Sequence, residues 1–80
     1  MPRENIEVHA INEFLGSHIR AMARSRDISN RVLAEELGIT TQQLSKYLRG
    51  ESRIAAGHMP ILARVLGVRV DLLYGAYDAN

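Results

Sequence analysis

Thr41, Gln42, Ser45, Lys46 and Arg49 recur at helical intervals, so a helix over this stretch would carry them along one side. All five form hydrogen bonds and none is acidic. A solvated surface helix would more commonly carry Glu–Lys pairs; an acid-free polar face suits a groove flanked by phosphates. The other chemistries are poorly supplied. His9, His18 and His58 lack the i,i+4 spacing of a zinc-binding helix, and His9 with Glu13 reads as an exposed helix pair. Without Cys there is no disulfide and no thiolate ligand. The six Gly are scattered and no Gly-Lys-Ser/Thr occurs, which removes a phosphate loop. Ser17 and His18 are merely adjacent, and Met22 and Met59 fit core spacing better than a cofactor box. Non-enzymatic function is expected, with no metal, no cofactor and no small-molecule ligand.

The elements that would hold this face read as helices throughout. Val8, Ile11, Leu15, Ile19 and Met22 form one stripe, predicting a first helix from about Asn5 to Arg24, with Gly16 as a bend or close contact. Ser29 is an N-cap for a second helix, 30–37, with Ile28 and Leu33 as a hydrophobic staple and Gly38 as its stop. Thr40 and Gln43 form a T-x-x-Q capping box, stapled by Ile39 and Leu44, for a third helix from Thr41 to Arg49 ending at Gly50. Pro60 is tolerable only in a first turn, placing a fourth helix at about 58–66 before Gly67. A short fifth helix is expected from Val70 to Tyr74 or Tyr77, with 75–80 as a frayed tail. Leu33, Leu37, Ile39, Leu44 and Leu48 point inward, and Ala34 supplies the small residue where two helices cross.

Eighty residues make one domain, 1–80, with 1–14 an N-terminal extension of the first helix. A chain this small buries about 60–65 % of its unfolded surface, leaving little room for a cleft and a scaffold together. Hydrophobic content of 46 % argues against disorder of the whole chain. No apolar run is long enough to span a bilayer, and the start lacks the apolar stretch of a secretory signal; a cytoplasmic protein without membrane contact is expected. Net charge is only +1, but between His18 and Arg53 seven basic residues face four acidic ones. The middle of the chain is the candidate polyanion-facing part.

Two short helices joined by a Gly-containing turn are a helix-turn-helix signature. The stretch Leu33-Ala34-Glu35-Glu36-Leu37-Gly38-Ile39-Thr40-Thr41-Gln42-Gln43-Leu44-Ser45-Lys46-Tyr47-Leu48-Arg49-Gly50 resembles the lambda-repressor/Cro-type (XRE-type) helix-turn-helix family. The similarity extends back through Leu15–Arg20 and forward through Leu62–Val68 to Leu72 and Leu73. The resemblance implies an all-α, compact five-helix lambda-repressor-like domain with the helix-turn-helix at helices 2 and 3. It also implies a bacterial or phage transcriptional regulator that binds double-stranded operator DNA, usually as a homodimer. Members often pair Arg at the place of Ala23 with Glu at the place of Leu48. Both are apolar here, and the two side chains are expected to touch as a hydrophobic substitute.

In this arrangement the start of the third helix reaches base edges in the major groove. Base contacts fall to Thr41, Gln42, Ser45 and Lys46. Gln42 can clasp adenine, Lys46 can donate to guanine or to a phosphate, and the Thr41 methyl suits a thymine methyl. Backbone contacts fall to Asn30, Thr40, Gln43, Tyr47, Arg49, Ser52 and Arg53. For Thr40 the capping role competes, and for the last three an ordinary solvated loop does. Leu72, Leu73, Tyr74 and Tyr77 are candidates for a dimer interface, with Ile6 and Ala10 second; one of Leu72 and Leu73 is expected in the monomer core. The alternative function is a protein-interaction module on the same fold. A phage repressor, a restriction-modification controller and an antitoxin-like regulator share these features; a repressor is expected, with activation the open alternative.

Overall fold

The start and stop signals become helix ends in the computed structural model, which describes residues 6–74. The elements are α1 (Ile6–Ser25), α2 (Asn30–Leu37), α3 (Thr41–Leu48), α4 (His58–Leu66) and α5 (Val70–Leu73), with no strand among the described residues. Ser29 is extended and its hydroxyl accepts the Val32 N–H at 3.2 Å. Thr40 does the same for Gln43 at 3.0 Å. Each satisfies one of the amides that a helix start leaves without a partner. Only the Thr40 half of the expected capping box forms. Gly38 closes α2 in the left-handed region, φ 71°, with its N–H directed at the Ala34 and Glu35 carbonyls. A side chain there would meet no neighbour, so the turn needs Gly for backbone conformation alone.

Three boundaries differ from expectation. α1 ends through Asp27, which takes the left-handed conformation (φ 55°) while Ile28 N–H bonds back to the Ala23 carbonyl at 2.9 Å. Asp visits this region more readily than most residues, so no Gly marks the end. α3 stops at Leu48, and Arg49 is its C-cap. α5 stops at Leu73 with Tyr74 as cap; the proposed continuation to Tyr77 and the frayed tail lie outside the described residues.

The core takes Leu15, Ile19 and Ala23 from α1, Leu33, Ala34 and Leu37 from α2, Leu44 and Leu48 from α3, four α4 residues, and Leu73. Ile28 and Ile39, the outer members of the two staples, pack partly buried against it. Met22 does likewise, and Met59 is buried. Val8 departs from the expected stripe: it is exposed, because the first turns of α1 run past the end of the core. No charged or polar side chain is buried among the described residues, and Ala23 and Leu48 occupy the same apolar cluster.

α1 and α3 approach closely at Gly16. A Cβ there would lie 2.5 Å from the Leu48 carbonyl oxygen and 2.6 Å from that of Tyr47. Gly16 is therefore the close contact and not a bend; α1 continues through it. At the opposite side His18 Nε2 lies 2.9 Å from the Leu72 carbonyl oxygen and its ring stacks on Phe14. That bond ties α1 to α5.

Candidate nucleic-acid interface

Leu44, Tyr47 and Leu48 bury one side of α3 and leave its other side to water. Thr41, Gln42, Lys46 and Arg49 are exposed, and Ser45 is half-buried between them. The Thr41 hydroxyl donates to Gln42 Oε1 at 3.4 Å, a contact that uses the Gln42 oxygen and not its amide N–H donors. The five residues of the expected acid-free face thus share one surface, four of them exposed.

That face is not acid-free at its C-terminal end. Arg49 Nε donates to Glu51 Oε2 at 2.6 Å, and a second guanidinium nitrogen reaches Oε1 at 3.4 Å. The Arg49 hydrogen bond holds the Glu51 carboxyl below the usual carboxylate range; desolvation opposes it, and the charges of Arg49 and then Lys46 add lesser lowering effects. Glu51 in turn raises the already high pKa of Arg49, through the hydrogen bond first and Coulomb attraction second. Helix spacing hid this pair, since Glu51 lies beyond the helix end. Its backbone N–H bonds to the Lys46 carbonyl at 2.9 Å, which turns the chain back beside Arg49.

The remaining expected contact residues distribute unevenly. Asn30 is exposed at the start of α2, on a notch of about 250 Å³ shared with Arg20, Ser45, Leu48 and Arg49. Thr40 spends its hydroxyl oxygen on the cap. Gln43 and Ser52 are half-buried, and Arg53 is exposed. Tyr47 is only 8 % exposed, with its ring 5.8 Å from that of His58. It is a core residue before it is anything else, because the α3 side it occupies packs inward.

Sequence reasoning assigned no place to Arg20 or Arg24, although both belong to the basic middle segment. The structure sets them on the exposed side of α1: Arg20 lines the notch with Asn30 and Arg49, and both line a neighbouring hollow of about 240 Å³ with Ser29 and Asn30. Their four-residue spacing was the available signal.

At the other candidate surface, Leu73 is 0 % exposed and closes the core; it is removed from any interface between copies. Its neighbour Leu72 is 51 % exposed and Tyr74 is 44 % exposed. Tyr77 lies outside the described residues. Ile6, at 84 %, is the most open of the large apolar residues described. Among the described residues no cluster of His, Asp and Glu fits a metal ion, and no helix is long and apolar enough to cross a membrane. His9 and Glu13 form the expected exposed pair at 3.4 Å.

A family model described as helix-turn-helix matches residues 19–73. An uncharacterized HTH-type transcriptional regulator of Rickettsia conorii is 32 % identical over 81 residues, covering 100 % of this chain and 65 % of that protein. One of Rickettsia prowazekii is also 32 % identical, with 100 % and 62 % covered. An uncharacterized transcriptional regulator in the ATPase CF(0) region of Rhodospirillum rubrum is 28 % identical over 84 % of this chain and 62 % of its own length. The chain therefore spans somewhat under two thirds of these relatives. Among solved structures, the clp gene regulator ClgR from C. glutamicum superposes with a TM-score of 0.74, covering 88 % of this chain and 96 % of that one at 22 % identity. That likeness shows a shared fold.

Proposed function

The chain belongs to the helix-turn-helix family, and from that premise we propose that it is a sequence-specific double-stranded DNA-binding regulator of transcription, acting as a homodimeric repressor. The observation that carries the reading is α3 itself: Thr41, Gln42 and Lys46 stand exposed on a helix whose opposite side is buried, beginning at a formed cap. A helix so presented fits the major groove, with Thr41 and Gln42 deepest and Ser45 and Lys46 one turn later. Asn30, Arg49, Ser52 and Arg53 supply phosphate contacts that set register without reading sequence. Thr40, Gln43 and the Tyr47 edge are secondary, since their polar groups or surface are partly committed within the fold.

Two copies related by a two-fold axis would place recognition helices about 34 Å apart and double the site read. The exposed Leu72 of α5 and Tyr74 at its C-cap support a dimer surface there, away from the recognition helix. Selection of duplexes from a random pool, followed by anisotropy titration at about 50 and 200 mM salt, tests the reading. Selective binding to a two-fold-symmetric site, weakening steeply with salt, is expected. Absence of duplex binding, with retention of a protein partner instead, would establish the interaction-module alternative. Reporter expression from a promoter carrying the selected site separates repression from activation.

A further inference from the structure

We propose, building on the DNA-binding reading above, that the notch between α1, α2 and α3 is a site for one backbone phosphodiester held by Arg20 and Arg49, and that Glu51 is the internal carboxylate this phosphate displaces. The notch holds about 250 Å³ and is lined by Arg20, Asn30, Ser45, Leu48 and Arg49. Two guanidinium groups, an amide and a hydroxyl all offer donors, and no carboxylate lines it. Arg20 is exposed and makes no ion pair among the described residues.

Arg49 already holds an oxyanion. Its contacts to Glu51, at 2.6 and 3.4 Å, form the two-pronged fork that a guanidinium makes with a phosphate as readily as with a carboxylate. Both side chains are about half exposed, 53 % and 55 %, so exchange of one anion for another strands no charge in the interior. The Glu51 backbone is anchored to the Lys46 carbonyl, so a displaced carboxylate stays near the site and competes for it. Glu51 thus lowers affinity for every duplex alike. It adjusts how tightly the protein holds DNA without changing which sequence it prefers.

The test titrates wild type, E51Q, R20A, R49A and R49A/E51Q against a selected duplex and a scrambled one over a range of salt. E51Q is expected to tighten both duplexes about three- to fivefold with their ratio unchanged. It should also steepen the slope of log K against log salt by about one. R20A should weaken both duplexes similarly and make that slope shallower by about 0.9. The E51Q gain should vanish in the R49A background. E36Q adds the same net charge at a pair made with Arg64, outside the notch, and should change affinity by less than about twofold. An unchanged affinity in E51Q or R20A, a gain that survives R49A, or an equal gain in E36Q would overturn the proposal while leaving DNA binding intact. A wild-type protein that binds no duplex removes the underlying reading instead. Thermal melts of each variant confirm that the surface substitutions leave folding intact.

Discussion

Single side chains divide here by what they face. Gln42 is exposed at the head of α3, so its removal should cost selectivity: Gln42→Ala is expected to lose about 1–3 kcal/mol of discrimination at one base pair of the selected site. Arg53 is exposed on the following loop, and Arg53→Ala should weaken all duplexes by a similar factor. Titrating both variants against every single-base change of the site distinguishes the two patterns. Ala23 and Leu48 make the opposite point. Both are buried in one apolar cluster, so a lone Ala23→Arg would place an unpaired charge in the core. It should cost roughly 3–5 kcal/mol in a urea unfolding experiment, and Ala23→Arg combined with Leu48→Glu should recover part of that loss. Additive losses would show that the two positions do not meet.

At the scale of elements, helix ends are set by a few local groups, and their costs are separable. Thr40→Ala removes the bond to the Gln43 amide and should destabilise by about 1 kcal/mol. Gly38→Ala meets no neighbour but keeps a side chain in the left-handed region, for roughly 1–2 kcal/mol. Gly16→Ala acts by a different cause, driving a methyl into the Leu48 and Tyr47 carbonyls. About 1–3 kcal/mol is expected, with α3 displaced and duplex affinity lowered alongside stability. Gly38→Ala should leave affinity per folded molecule unchanged. Denaturant midpoints and duplex titrations on the three variants make the comparison.

For the whole molecule, the decisive contrast lies between two adjacent leucines. Leu73 is fully buried, and Leu73→Ala should cost about 2–5 kcal/mol. Leu72 projects outward, so Leu72→Ala should alter monomer stability by no more than about 0.5 kcal/mol while shifting a dimer toward monomer in sedimentation equilibrium. An unchanged association state for Leu72→Ala and for Tyr74→Ala would place the interface elsewhere, with the exposed Ile6 end of α1 next in order.

The caps at Ser29 and Thr40, the Gly38 turn and the inward side of α2 and α3 were legible from the order of residues. Each follows from groups within about five residues of one another, where the chain has few ways to satisfy its amides and hide its leucines. The end of α1 was less legible, because Asp27 does by conformation what Gly usually does. Helix packing set which of Leu72 and Leu73 is covered, since that depends on where α1 and α4 lie across the fold. It also decided that Arg20, Asn30 and Arg49 share one notch, with Glu51 on the last of them. Residues so far apart in the chain meet through helix packing, and no local spacing records the meeting.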